Sequence, residues 1–206
     1  MRSRVALALS LHVLWGCGSS SASSTPGPLV DNTKWASSEK GEVFFGAPPA
    51  DSECLSEPID CEEHYPWPEG QCVDLEESSC IVSFVPECLD SFTVLAVYTR
   101  MPNPQQPLCN WLTLEQPSLR AIVAGDQVEV RARHAKLNAP VPGDARMSFV
   151  IGDEIALDYT VLIPSDFKHA SNVWTASKDY PVGTPLLFHV ENHGSNEYML
   201  IEVNVL

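Results

Sequence analysis

Positive charge is scarce in this 206-residue chain: 12 Lys and Arg stand against 27 Asp and Glu, a formal net charge of −15. Such a chain repels nucleic-acid phosphates and anionic membrane surfaces, so no nucleic-acid partner is expected. Long apolar runs are missing too. A membrane-crossing helix needs about 20 apolar residues, whereas the run at residues 5–14 is ten long and interrupted by Ser10 and His12. No two cysteines lie within the Cys-x₂₋₄-Cys spacing of zinc modules. There is no Gly-x-Ser-x-Gly, no phosphate-cradling glycine loop and no sustained helical periodicity. These absences disfavour hydrolase, nucleotide-binding and helical-bundle readings. They leave the expectation of a non-catalytic protein that requires no cofactor.

What is present begins at the N-terminus. Arg2 and Arg4 precede the short apolar run, and Leu14-Trp15-Gly16-Cys17 follows it. Residues 18–28 are then almost wholly Ser, Gly, Ala, Thr and Pro. Leu14, Gly16 and Cys17 in this setting resemble the signal peptide and lipobox of bacterial lipoproteins, a resemblance confined to residues 1–17. It implies cleavage before Cys17, lipidation of Cys17 and a place in the cell envelope. Gly18, where an aspartate would favour the inner membrane, implies the outer membrane. Removing Arg2 and Arg4 takes the formal charge from −15 to −17, so attachment would rest on acyl chains and not on a basic patch. The expected organisation is a signal peptide at 1–16, a lipidated flexible tether at 17–40, an acidic cysteine-rich segment at 41–110 and a β-sandwich at 111–206.

With Cys17 assigned to lipid, six cysteines remain: Cys54, Cys61, Cys72, Cys80, Cys88 and Cys109. An even set in an exported protein implies disulfides, and their pairing is open from sequence. From Gly41 to Thr99 there is no Lys or Arg and there are 13 acidic residues. The densest part, residues 51–63, is a solvated acidic face or a calcium-attracting loop, although it lacks the EF-hand order. Tyr65-Pro66-Trp67-Pro68 is either a rigid ligand platform or a cap on the disulfide layer.

Strand character starts at residues 41–46 and recurs at 81–85 and 92–98. Residues 127–134 alternate, with Val128, Val130, Ala132 and His134 on one face. Residues 145–151 form a strand before a Gly152-Asp153 turn. Residues 155–163 place Ile155, Leu157, Tyr159, Val161 and Ile163 together. Residues 171–176 are a further short strand. Residues 186–191 and 198–205 flank Asn192-His193-Gly194-Ser195-Asn196, a hairpin signal. In the last strand Met199, Ile201, Val203 and Val205 share a face, leaving Tyr198 on the exposed side. Short period-2 strands between turns predict an all-β fold, an antiparallel β-sandwich or jelly roll.

Two site readings follow. Trp111, Trp174, Tyr180 and Tyr198 are aromatic candidates for a binding surface, and Trp174 and Tyr198 with Asn192 and Asn196 suit sugar faces and hydroxyls. The partner would then be a glycan or an envelope protein. Alternatively His134, His189 and His193 with Glu191 form a zinc or copper set, which would make the chain a metal-binding protein or metal-dependent enzyme. Asp153, Glu154 and Asp158 sit near one turn and are the candidate paired carboxylates.

Overall fold

A computed structural model describes residues 25–48, 72–73, 81–86, 93–99 and 110–206. Cys17, the side chains of the six further cysteines, residues 51–63 and the Tyr65–Pro68 motif lie outside them. The described residues form an antiparallel β-sandwich. One sheet runs in the order β10 (Lys168–Thr175), β7 (Gln127–His134), β12 (Glu197–Val205), β5 (Thr93–Tyr98), β4 (Ile81–Pro86) and β3 (Cys72–Val73). A two-residue β1 (Gly27–Pro28) pairs with the far half of β12. The facing sheet has five strands: β2 (Ala36–Ser37), β6 (Trp111–Pro117), β11 (Pro185–Glu191), β8 (Gly143–Ile151) and β9 (Glu154–Ile163). Among the described residues no helix is long and apolar enough to cross a membrane.

The core lies between the sheets. Val128, Val130 and Ala132 of β7 face Leu114, Met147, Phe149 and Phe188 of the five-stranded sheet, all of them buried. Burial along β7 alternates without a break, as one packed face and one open face require. Trp35 closes one edge of the core, with its ring perpendicular to that of Phe149 at 6.3 Å.

Several expectations are corrected by this arrangement. The tether does not extend to residue 40. Leu29, Val30 and Trp35 are buried, and β1 and β2 join residues 27–37 to both sheets. Residues 41–46 are helical and not extended: a 3₁₀ turn (Glu39–Gly41) leads into α1 (Glu42–Phe45). Ser38 starts the turn by accepting a bond from the Lys40 N–H, and Gly46 at φ 83° ends the helix. Local capping outweighs the β-propensity of Val43, Phe44 and Phe45 there.

The Asn192–Asn196 turn is not a hairpin, because β11 and β12 belong to different sheets and the turn crosses between them. Asn192 and Asn196 are buried and face inward, where a solvated hairpin tip would face out, while His193 and Ser195 are exposed. Finally, β12 carries a bulge between Leu200 and Glu202. A bulge inserts one residue and flips the faces of everything beyond it. Tyr198 and Leu200 therefore point inward before it, and Val203 and Val205 after it. A similar irregularity in the β8–β9 pairing turns Ile155 outward, 40% exposed, away from Leu157, Val161 and Ile163.

Candidate functional site

The outer face of the five-stranded sheet collects the polar chemistry. The register places Trp111 opposite Glu191, Glu191 opposite Arg146, and Arg146 opposite Thr160. These four residues form one row across β6, β11, β8 and β9. The adjacent row, two residues along each strand, is Thr113, His189, Ser148 and Asp158. Side chains two apart on a strand share a face, so both rows project away from the core.

The segment that precedes residue 46 covers Thr113 and His189 of the second row and leaves Asp158 partly exposed. Phe45 stacks on His189 with ring centroids 4.1 Å apart and a 9° interplanar angle. Gly41 lies directly over Thr113; a Cβ there would sit 1.9 Å from the Thr113 hydroxyl oxygen, so only glycine fits. Lys40 pairs with Glu115 at 2.5 Å, and Ser38 donates to Glu115 at 2.8 Å, which fixes the segment to β6.

Beneath that cover, Thr113 Oγ1 lies 2.8 Å from His189 Nδ1, and His189 Nε2 lies 3.1 Å from Glu191 Oε1. Hydroxyl, imidazole and carboxylate follow the order of a nucleophilic triad. Thr113 is only 1% exposed, however, and is sealed under Gly41, so no acyl carbon can approach its oxygen. The chain of bonds is structural. Burial lowers the pKa of His189 despite the opposing effect of Glu191. The ring is therefore neutral, with Nε2–H donating to Glu191 and Nδ1 accepting from Thr113.

The first row stays open and, with its neighbours, lines a cleft of about 340 Å³. This is within the size range of small-ligand sites. Trp111 supplies one wall, Arg146 and Asp158 the floor, and Asp144, Thr160 and Glu191 the remaining strand positions. Asn110, Asn192 and His193 close one end. Arg146 is held by two bonds to Asp158, at 2.6 and 2.8 Å, by Glu191 at 3.5 Å and by the face of Phe45 at 4.9 Å. Its hydrogen bonds hold the Asp158 carboxyl below the ordinary carboxylate range, and His189 does the same for Glu191. Asp158 also accepts from Ser148 at 2.9 Å.

The residues singled out from sequence divide clearly. Tyr198 is fully buried, with its hydroxyl bonded to Asn192 Oδ1, so it cannot be an exposed ligand platform. Burial raises its pKa. Asn192 and Asn196 are buried with Thr99 in one network: Asn196 Nδ2 donates to Asn192 Oδ1 at 2.8 Å and Asn192 Nδ2 to Thr99 Oγ1 at 2.6 Å. Their work is to stitch the crossover between sheets. Asn192 also reaches the end of the cleft. Trp174 packs against the core and Tyr180, 5.8 Å between rings, on a strand at the opposite end of the other sheet's order.

The three histidines do not meet. His134 is buried on the inner face of β7, His189 lies on the outer face of β11 in the other sheet, and His193 is in the crossover turn. Among the described residues no three of His, Cys, Asp and Glu converge to hold a metal ion. His134 instead donates from Nδ1 to the Ala135 carbonyl at 2.7 Å, leaving Nε2 buried without a partner among the described residues. The carboxylates near the β8–β9 turn also separate. Asp153 pairs with Lys178 at 2.7 Å, Glu154 accepts from Tyr180 at 2.8 Å, and Asp158 lies in the cleft with Arg146.

Arg146, Asp144, Thr160 and Asn110 did not stand out in the sequence. No motif connects them; only the strand register brings them to Trp111 and Glu191.

No family model matches the chain, and no curated protein matches it. Solved structures are similar to it at low identity. The enzymatically active domain of bacteriophage CBA120 tailspike protein 4 is 12% identical over 62% of this chain, with a TM-score of 0.38, and this chain spans only 18% of its length. A CBM22 xylan-binding domain from Paenibacillus barcinonensis is 13% identical, covering 62% of this chain and 80% of its own, with a TM-score of 0.34. The C-terminal family 22 carbohydrate-binding module of a Clostridium thermocellum protein is 14% identical, covering 77% and 97%, with a TM-score of 0.37.

Proposed function

We propose that this chain is a lipid-anchored, non-catalytic glycan-binding protein of the bacterial cell envelope, attached through Cys17 and facing its ligand with the five-stranded sheet. The observation that carries the binding reading is the open row of Trp111, Glu191, Arg146 and Thr160. A sugar ring presents an apolar face and a rim of hydroxyls. Trp111 offers a flat surface for the first, and the carboxylate, guanidinium and hydroxyl of the row offer donors and acceptors for the second. Neighbouring strands are about 4.8 Å apart, so a four-strand row extends for about 14 Å, enough for a short oligosaccharide. The row is held in place before any ligand arrives: Asp158 and Glu191 fix Arg146, and His189 fixes Glu191. Preorganisation of this kind reduces the entropy cost of binding.

The anchoring part rests on Arg2, Arg4, the short apolar run, Cys17 and the even number of cysteines beyond it. An outer-membrane position follows from Gly18. The whole chain, purified in detergent, should bind one or more oligosaccharides on a glycan array. Trp111→Ala should weaken that binding by tenfold or more, while Trp174→Ala should leave it unchanged. Absence of any glycan binding, or binding indifferent to Trp111→Ala, would refute the reading. Cys17→Ser should abolish labelled fatty-acid incorporation and release the protein from membranes; retention with undiminished label would refute the anchor.

A further inference from the structure

We propose that the cleft selects a glycan carrying free amino groups, an unacetylated amino-sugar chain, over neutral and uronic-acid glycans. The inference rests on the glycan reading above and adds the ligand's chemistry. Among the described residues, three carboxylates line the cleft, those of Asp144, Asp158 and Glu191, against the one guanidinium of Arg146. That guanidinium is already engaged by Asp158 along its Nε–Nη2 edge, by Glu191 at Nη1 and by the Phe45 ring. A ligand carboxylate would have to displace Asp158 to gain bidentate geometry on that edge.

The groups left to the ligand are mostly acceptors. Asp144 is exposed at the rim, with no bond or ion pair to it among the described residues. Asn110 lines the same cleft, is only 9% exposed, and its side-chain carbonyl has no hydrogen-bond partner among the described residues. A buried carbonyl without a donor is uncommon, because an unsatisfied buried polar group is destabilising. The Asn192 amide contributes nothing new, since Thr99, Gly194, Asn196 and Tyr198 occupy it.

An ammonium group meets both needs: it carries three donors and the opposite charge. A uronate brings a fourth carboxylate into the cleft, where like charges repel. A neutral hydroxyl satisfies the acceptors without compensating the charge. The chain's formal charge of −15 adds long-range attraction for a cationic polymer, and salt weakens that attraction.

The test is calorimetric titration of the whole chain with three oligosaccharides of equal length: a glucosamine oligomer, its fully N-acetylated counterpart and a galacturonate oligomer. The glucosamine oligomer should bind about tenfold more tightly than the acetylated one at low salt, as expected of one charge-assisted contact. The galacturonate should not bind. Asp144→Asn should erase the preference, bringing the ratio of the two affinities to about one, and Trp111→Ala should weaken binding of both. Equal affinity for the first two oligomers, preference for galacturonate, or a preference that survives Asp144→Asn would overturn the proposal. If the acetylated oligomer binds in a Trp111-dependent way without an amine preference, the glycan reading stands and only this inference fails. If no oligosaccharide binds, or a lysine-rich peptide binds in their place, both fall.

Discussion

His189 Nε2 and Glu191 Oε1 are 3.1 Å apart on one face of β11, and Phe45 lies flat against the same imidazole at 4.1 Å. One buried ring thus joins the covered row of the sheet to the open one. His189→Ala removes the acceptor of the Thr113 hydroxyl and the support of Phe45, and it frees Glu191. A buried hydroxyl left unpaired is destabilising by about 1–3 kcal/mol, and lost packing adds to this. Urea denaturation should show a loss of about 2–3 kcal/mol. A loss under about 0.5 kcal/mol would mean that the bond chain is incidental.

The pH dependence of stability follows from the same burial. Burial lowers the pKa of both His189 and His134 from 6.5. In the unfolded chain each takes up a proton near that value, whereas the folded chain resists it. The unfolded state therefore binds more protons below about pH 6.5, and stability falls as pH drops from there toward the folded values. Asp158 and Glu191 act in the same direction, but at lower pH. Their lowered pKa values stabilise the fold above the ordinary carboxylate range, and that contribution disappears only as pH falls below it. Denaturation midpoints should decline from pH 7 to pH 5, above the range in which Asp158 and Glu191 lose most of their contribution. His134→Leu, with no partner on Nε2 to lose, should flatten that decline; an unchanged slope would show that His134 is not one of its sources.

Arg146 and Asp158 form the two-bond pair on the cleft floor, with side chains 26% and 44% exposed. Solvent screens a pair of that exposure, so a double-mutant cycle of Arg146→Gln and Asp158→Asn should return a coupling of about 1 kcal/mol in stability. The effect on ligand binding should be larger, because loss of either partner leaves the other free to swing across the row. A cycle in which binding is unaffected by both changes would remove the floor from the site.

Trp111 and Tyr198 separate binding from packing. Tyr198→Phe deletes only the hydroxyl that meets Asn192 and should cost about 1 kcal/mol with no change in glycan affinity. Trp111→Ala should do the reverse, with a small effect on the midpoint and a large one on affinity. If Tyr198→Phe impaired binding as much as Trp111→Ala, the crossover network would have to belong to the site.

These residues also show which parts of the molecule could be read from the sequence. The alternation of β7 was legible because one face packs and the other does not. That of β12 was not. Met199, Leu200 and Ile201 are three consecutive apolar residues, so either phase fits until the bulge is known. The Asn192–Asn196 turn has hairpin chemistry, but which sheet each flanking strand joins depends on partners about 35 to 105 residues away. His189 and Glu191 could be placed on one strand face. Their cover could not, because residues 41–46 have strand-like side chains held in a helical turn by Ser38 and Gly41. The row itself draws on four strands and has no local signature.

The bulge in β12 has its own support, in Asn32. Its side-chain amide donates to the carbonyls of Leu200 and Ile201, at 3.3 and 3.0 Å, where the pairing with β7 slips, and its carbonyl accepts from the Trp35 indole at 3.0 Å. A bulge leaves backbone groups without ladder partners, and Asn32 is the group that serves these. Asn32→Ala would remove the donor to the two carbonyls and the acceptor of the buried Trp35 indole N–H, and an unpaired buried group is destabilising by about 1–3 kcal/mol. The expected net loss is about 2–4 kcal/mol in urea denaturation. Asn32→Asp keeps an acceptor for Trp35 but offers no donor to the bulge, so it should recover little of the loss. Asn32→Gln keeps both functions and should recover more, within the limits of its longer stem. If Asp rescued as well as Gln, the Trp35 bond and not the bulge would be the function of Asn32. The inward placement of Tyr198 would then have to be maintained by the crossover network alone.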